Sequence, residues 1–184
     1  MTLTTEGARL VRLMTALDIV QKGDPVLARR DLAPFDLPAE RVEVARVVDR
    51  LWRIAGTVDR RYPFKVGMGL AAPQIGIARR VAIVRYGIEP IVLVNPRVIE
   101  RGPYAPTNSF EGCLSFFDVR GRVPRPQWIV IEHELPLRKT RFEGDAARLV
   151  EHEMDHLDGM LYDERMEPAD LLLPVDEYRL LAAS

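Results

Sequence analysis

The chain contains the stretch Glu151-His152-Glu153-Met154-Asp155-His156-Leu157-Asp158-Gly159. A helix turns by about 100° per residue, so His152 and His156 lie on one helix face and can bind the same metal ion. Glu153 can reach a water molecule at the open position of such an ion, where a carboxylate acts as a general base. Gly159 predicts the end of the helix. A metal-binding helix is therefore favoured over a solvated helix that carries two of the chain's three histidines by chance.

A catalytic metal centre needs a third protein ligand, because three protein ligands leave one position open. The five residues after His156 include no histidine, so the longer metalloprotease pattern is absent. The only cysteine, Cys113, lies upstream in Glu111-Gly112-Cys113-Leu114-Ser115. A lone cysteine is most often a small buried apolar residue, but the glycine before it and the Arg-Gly-Arg loop signal after it favour a ligand. A thiolate with two neutral imidazoles suits Zn²⁺ or Fe²⁺ better than Mg²⁺ or Ca²⁺.

A third stretch reads Gly67-Met68-Gly69-Leu70-Ala71-Ala72-Pro73-Gln74-Ile75-Gly76. It lacks the third glycine and the strand-turn-helix setting of a dinucleotide-binding loop. Taken together and in order, GMGLAAPQ, EGCLS and HEMDH resemble the three signature motifs of the peptide deformylases. The resemblance extends from about residue 18 to residue 166. It implies a metal-dependent hydrolase that removes the N-formyl group from the N-terminal formylmethionine of newly made polypeptides and releases formate.

The resemblance also implies how the metal is held. By this resemblance, Cys113, His152 and His156 bind one divalent ion and Glu153 is the general acid/base. Fe²⁺ is the preferred ion and Zn²⁺ the alternative, although these ligand types accept both. A carboxylate placed beside the ion can take a proton from water and return it to the leaving amine.

Four further roles follow from the same resemblance. The Gln74 side-chain amide and the Leu114 backbone N–H would stabilise the oxyanion. Backbone groups around Met68 and Gly69 would hold the substrate as an added strand. Amide donors suit the first role, because they stabilise a developing negative charge without adding a group that titrates.

Two positions depart from the family pattern. Glu151 stands where the family usually has Gln, and Phe116-Phe117-Asp118 replaces a stretch in which the family commonly has Pro. Neither change removes a predicted ligand, the base or Gln74. Two other functions stay open: a metallopeptidase built on the His-Glu-x-x-His helix, which would be indifferent to Cys113, and a catalytically weakened deformylase-like binding protein.

Composition limits the other function classes. The chain has 184 residues, 47% of them apolar and 29% charged, as in an ordinary globular protein. Its 26 Lys and Arg balance 27 Asp and Glu, which predicts neither nucleic-acid nor membrane binding; a transient ribosome contact would need a local patch. The single cysteine, the absence of a recognisable signal peptide and the absence of a long apolar run predict a cytoplasmic protein.

The pattern along the chain predicts an α+β fold with mixed or antiparallel sheets around a central metal-binding helix. We expect one domain over residues 1–184, with 1–17 as a helical extension and 167–184 as a tail. Helices are predicted over 6–17, 39–57 and 145–157, with a short one ending the tail, and strands over 81–86, 91–94, 127–135 and 139–142. Asn95-Pro96 is predicted to form a turn, after which an extended run resumes over 97–100. His133 is predicted to lie on a sheet face, and Arg125 to pair with Asp155.

Overall fold

The computed structural model describes residues 4–62, 64, 67–87, 89–105, 110–168 and 170–183. Within these residues the α-helices are α1 (Thr5–Ala16), α2 (Arg41–Arg61), α3 (Gly144–Leu157) and α4 (Val175–Ala183). The strands are β1 (Met68–Ala71), β2 (Val81–Tyr86), β3 (Glu89–Arg101), β4 (Tyr104–Ala105), β5 (Phe110–Cys113), β6 (Phe116–Arg122), β7 (Arg125–Pro126), β8 (Trp128–Glu134), β9 (Arg138–Glu143) and β10 (Leu173–Pro174). Short 3₁₀ segments cover Pro25–Ala28, Ala72–Ile75 and Tyr162–Arg165.

Five strands form the main sheet, in the order β1-β2-β3-β8-β9. Smaller sheets consist of β10-β6-β5 and of β4-β7. Every pairing between these strands is antiparallel. The predicted α+β class is confirmed, and its sheets take the antiparallel form.

Both faces of the main sheet are covered at β2, which explains why this strand reads as a continuous apolar run. Val81 and Ile83 belong to the cluster on the side of α2, whereas Ala82 and Val84 belong to the cluster on the side of α3. Helix α2 contributes an apolar stripe at steps of three and four, as expected for a helix packed on a sheet. Its buried members are Val44, Val47, Leu51, Ala55 and Val58.

Helix α3 is the predicted central helix. Every side chain from residue 151 to residue 157 is buried, because the helix contacts β1, β2, β7, β8 and β9. Val150, Met154 and Leu157 pack with Ile129 and Ile131 of β8. The charged residues between these apolar positions, Glu151, Glu153 and Asp155, are therefore buried as well.

One element differs from the expectation. Asn95-Pro96 was expected to form a turn between two extended runs, but β3 continues through it. The irregularity is absorbed as a register shift against β8 between Val94 and Arg97. Asn95 adopts a φ of +46°, which Asn tolerates better than most residues, and its side chain bonds both the N–H (2.7 Å) and the carbonyl (2.9 Å) of Phe35.

The predicted N-terminal helix is present as α1. Leu10 and Met14 are fully buried and join the cluster that contains Phe117 and Val175, so this helix packs on the body and on α4. The division of the chain into a body, an extension and a tail stays a prediction.

None of the helices among the described residues is long and apolar enough to span a membrane.

Candidate metal centre

Helix α3 carries two of the expected ligands. His152 and His156 lie one turn apart, with ring centroids 5.0 Å from each other, and are 8% and 1% exposed. The third histidine, His133, lies on β8 beside Thr140, its Nε2 3.0 Å from the Thr140 hydroxyl. His133 is therefore a sheet-face residue, as predicted.

Cys113 ends β5 and faces the histidines. The pairing of β5 with β6 is irregular between Glu111 and Cys113, and a bulge of this kind re-aims a side chain. The Cys113 thiol is buried and lies 3.1 Å from Nε2 of His156. The third predicted ligand therefore reaches the helix from a separate part of the chain.

These three residues fit a single metal ion. The ligand atoms of Cys113, His152 and His156 all lie within 4.8 Å of one another. Metal–sulfur distances of about 2.3 Å and metal–nitrogen distances of about 2.0–2.1 Å bring the ligands of one ion within roughly 4 Å of each other, so only small shifts are needed. Three protein donors of this kind leave a position open for a substrate.

Glu111 orients His152. Nδ1 of His152 lies 3.1 Å from Glu111 Oε2, which fixes the ring so that Nε2 faces the other ligands. Arg125 binds the same carboxylate through Nε (2.9 Å) and Nη2 (2.8 Å), and Arg148 approaches it at 3.0 Å. Burial alone would raise the pKa of Glu111, but Arg125 and His152 outweigh it and hold the pKa well below its usual range.

Sequence reasoning gave Glu111 and Arg148 no role. The EGCLS stretch contains Glu111, and Arg148 lies four residues before His152, on the same helix face. That spacing is the one signal by which Arg148 could have been found. No local pattern joins Glu111 to a helix 41 residues away.

The predicted pairing of Arg125 with Asp155 is confirmed. Arg125 Nη1 donates to Asp155 Oδ2 at 2.6 Å, and the two side chains are 4% and 3% exposed. The other Asp155 oxygen accepts from Arg165 at 2.6 Å. Glu151, which the sequence analysis expects to depart from the family pattern, is fully buried and accepts from Arg101 at 3.1 Å.

Glu153 lies in the protein interior. It is 2% exposed, and its Oε2 has no hydrogen-bond partner among the described residues. Burial raises the pKa of Glu153 to about 7, so both protonation states are populated near neutral pH. Gly69 of β1 lies against this side chain: a Cβ there would fall 2.5 Å from the Glu153 carboxyl carbon.

Gln74 lies in the 3₁₀ segment after β1 and is 1% exposed. Its Oε1 accepts from the Ala71 N–H at 2.8 Å, which aims Nε2 toward the Cys113 sulfur (3.5 Å) and the Ser115 hydroxyl (3.4 Å). Leu114 follows Cys113 directly in the turn before β6. Gln74 and the turn that carries Leu114 therefore both lie beside the metal-ligand group.

Met68 and Gly69 lie in β1, an edge strand that pairs with β2 alone among the described strands. The altered residues Phe116 and Phe117 begin β6. The Phe117 ring is buried and meets the Tyr62 ring edge-on at 5.7 Å. Phe117, where a departure from the family pattern is expected, is thus part of the core.

Known proteins resemble this chain over most of its length. The polypeptide deformylase family model matches residues 16–171. A peptide deformylase from Dictyoglomus thermophilum is 38% identical over 151 residues, 80% of this chain and 91% of that protein. One from Shouchella clausii is 35% identical over 171 residues, 84% of this chain and 92% of that protein.

Solved structures agree with the sequence relatives. The peptide deformylase of Thermotoga maritima superimposes with a TM-score of 0.69 at 32% identity, covering 82% of this chain and 97% of that one. A class I type b peptide deformylase from Acinetobacter baumannii gives 0.69 at 31% identity, covering 80% and 97%. Since the family model spans most of the sequence and these relatives align nearly end to end, the chain belongs to the polypeptide deformylase family.

Proposed function

We propose that this protein is a metal-dependent peptide deformylase, which hydrolyses the N-formyl group of formylmethionyl polypeptides and releases formate. One observation carries the proposal beyond family membership. Cys113, His152 and His156 converge from β5 and α3 in the interior, with the Glu153 carboxyl and the Gln74 amide on neighbouring positions.

Cys113, His152 and His156 would hold one divalent ion, for which we propose Fe²⁺, with Zn²⁺ as the alternative that the same donors accept. When bound, the ion would supply a Lewis acid that polarises the formyl carbonyl and lowers the pKa of a water molecule. The closeness of the Cys113 thiol to His156 favours this ligand set over that of a metallopeptidase indifferent to the cysteine.

Glu153 would move the proton. A general base works best when its pKa lies near the working pH, and burial raises the pKa of Glu153 in the metal-free protein from its usual range to about 7. Its ionised form would accept a proton from the attacking water, and its neutral form would then deliver that proton to the amine that leaves. Gly69 leaves the space in which this side chain lies.

Gln74 and Leu114 would stabilise the negative charge that develops on the formyl oxygen. The Gln74 amide is already oriented, since its oxygen is held by the Ala71 N–H and its nitrogen faces the metal-ligand group. A donor fixed before the reaction costs no reorganisation. The Leu114 backbone N–H would be the second donor.

The substrate would add to the free edge of β1. Backbone groups of Met68 and Gly69 would pair with the formylated peptide as a further antiparallel strand, and an apolar pocket beside this edge would take the methionine side chain. The substrates are new polypeptides, so we infer a cytoplasmic location and a transient contact with the ribosome, without specific nucleic-acid or membrane binding.

The test compares wild type with Glu153→Ala. Formate release from a formyl-Met tripeptide is measured beside metal content, with anaerobic Fe²⁺ loading. We expect the variant to keep its metal and to lose turnover by about 10²- to 10⁴-fold, as for a lost proton-transfer group. Wild type that binds iron and releases no formate would instead support a binding protein that has lost turnover.

A second variant distinguishes the proposed deformylase from the alternative metallopeptidase. We expect Cys113→Ser to lose metal and deformylation together. Full metal content with retained peptide-bond cleavage in this variant would overturn the proposal.

A further inference from the structure

His152 is linked to the protein surface by four hydrogen-bonded side chains, Glu111, Arg125, Asp155 and Arg165, which we call the charge chain. Glu111 Oε2 lies 3.1 Å from His152 Nδ1, and Arg125 binds Glu111 at 2.8 and 2.9 Å. Arg125 then binds Asp155 at 2.6 Å, and Arg165 binds the other Asp155 oxygen at 2.6 Å. The links among Glu111, Arg125, Asp155 and Arg165 each join opposite charges, so each is a strong, directional hydrogen bond.

Arg165 is the outer end of the charge chain. The side chains of Glu111, Arg125 and Asp155 are 7%, 4% and 3% exposed, whereas that of Arg165 is 25% exposed. Arg165 lies in the 3₁₀ segment Tyr162–Arg165, which follows α3. Arg165 therefore lies outside α3, although it binds Asp155 within α3.

Arg165 also lies between two buried carboxylates. It binds Asp155, and its Nη2 lies 3.8 Å from Oε1 of Glu151. Glu151 is fully buried, and its Oε2 has no hydrogen-bond partner among the described residues. Without Arg165, Asp155 would depend on Arg125 alone, with a second buried carboxylate nearby.

Without Arg165, we expect Asp155 to compete more strongly with Glu111 for Arg125. Its guanidinium presents a rigid fork, which donates two hydrogen bonds to Glu111 and one to Asp155. If Arg125 moved toward Asp155, Glu111 would keep only Arg148, at 3.0 Å, as its arginine partner within the part of the chain that the structure describes. Glu111 would then position His152 less firmly. His156 has no such support, since its Nδ1 has no hydrogen-bond partner among the described residues.

We propose that Arg165 is a positioning residue for the metal centre, which holds Asp155 so that Arg125 and Glu111 fix the imidazole of His152. The inference rests on the proposed function in one respect, namely that His152 binds the metal. Arg165 hydrogen-bonds Asp155 and not a metal ligand, so it acts on the metal centre through other side chains.

The test replaces Arg165 with Met, which keeps much of the side-chain length and removes the charge. Co²⁺ is the probe, and its affinity and its visible absorption spectrum are measured in wild type, R165M and R165K. Partners that directly support a metal ligand are worth about 10- to 100-fold in metal affinity; since Arg165 acts from further away, we expect R165M to bind Co²⁺ about tenfold more weakly. The spectrum should also change, and R165K, which keeps one charged donor, should lie between R165M and wild type.

Arg79→Met is the matched control. Arg79 is 24% exposed, close to the 25% of Arg165, and pairs with Glu40, away from the charge chain, so R79M loses an ion pair from a similarly exposed arginine. We expect wild-type Co²⁺ affinity and spectrum in R79M. Equal behaviour of R165M and R79M, or an unchanged R165M, would overturn the proposal.

Two further outcomes are decisive. If R165M does not fold, R165K is compared with R79K, and a loss of Co²⁺ affinity confined to R165K supports the proposal, whereas equal affinities overturn it. If wild type itself binds no Co²⁺, the metal site proposed above fails and this inference fails with it. If wild type binds Co²⁺ and R165M binds it with the same affinity and spectrum, the positioning role of Arg165 is wrong, but the proposed metal site is not contradicted.

Discussion

Gly69 of β1 lies directly against the side chain of Glu153 on α3, and a methyl group at Gly69 would fall 2.5 Å from the Glu153 carboxyl carbon. The glycine is required by this close approach, because its backbone does not take the left-handed conformation that other glycines in the chain adopt. The edge strand proposed to bind substrate and the carboxyl proposed to move the proton are therefore in contact.

We expect Gly69→Ala to displace Glu153 and to lower kcat for deformylation strongly. Filling an already packed site costs about 1–3 kcal/mol, so the variant should still fold and retain its metal. Gly56→Ala is the control, since a Cβ at Gly56 would make an ordinary contact at 3.6 Å. Formate release, metal content and thermal unfolding are measured in both; wild-type kcat in Gly69→Ala would contradict the expectation.

The buried carboxyl of Glu153 predicts a pH-dependent stability in the metal-free protein. Burial raises its pKa from 4.5 to about 7, so between these values the folded state binds more protons than the unfolded state. The favourable contribution is complete below pH 4.5 and is lost as the pH rises through about 7.

Glu153→Gln removes this titration. We therefore expect the stability of the variant relative to wild type to rise across that pH range, by about 3 kcal/mol at most, given 1.36 kcal/mol per pKa unit. Urea unfolding of both apoproteins at several pH values measures it. A difference that does not change with pH would show that Glu153 titrates normally.

The sequence predicts the parts of this molecule that depend on local spacing. Helix α3 follows from apolar residues at steps of three and four and from histidines four apart, and its observed bounds, Gly144–Leu157, differ little from those expected. Strand β2 follows from its uninterrupted apolar run. In both cases the spacing of the apolar residues along the sequence identifies the faces that are buried in the structure.

Long-range pairings were not predictable in the same way. The contact of Glu111 with His152 depends on the register of β5 against β6 and on how β5 is placed relative to α3, and no local sequence pattern signals either. Asn95-Pro96 shows the converse: its composition signals a turn, but pairing with β8 on both sides keeps the strand continuous through a bulge. Arg165 carries no pattern that points to Asp155.

Gln74→Glu isolates the proposed donor. The substitution keeps an oxygen in place to accept from the Ala71 N–H but replaces the amide N–H₂ that faces Cys113 and Ser115. The loss of one oxyanion donor costs about 10²- to 10³-fold in kcat, and we expect a loss of that size with metal content unchanged. Gln127→Glu serves as the control for an added charge, since Gln127 is exposed and lies between β7 and β8 rather than beside Cys113. Equal losses in both variants would assign the effect to charge and not to the donor.

Arg125 is expected to matter for both stability and metal binding. Arg125→Met leaves Glu111 and Asp155 without their shared partner, and both carboxylates are buried. Breaking a buried ion pair from one side costs about 3–5 kcal/mol, and loss of the group that supports Glu111 should weaken metal binding by about 10- to 100-fold. Urea unfolding of the apoprotein and Co²⁺ titration measure the two effects separately.

Arg53→Met is the control, because Arg53 is 71% exposed and its pairing with Asp49 lies on the surface of α2, where such a pair is worth about 1 kcal/mol or less. If Arg125→Met matched Arg53→Met in both measurements, Arg125 would not support His152, and the charge chain would have no function beyond filling space beneath α3.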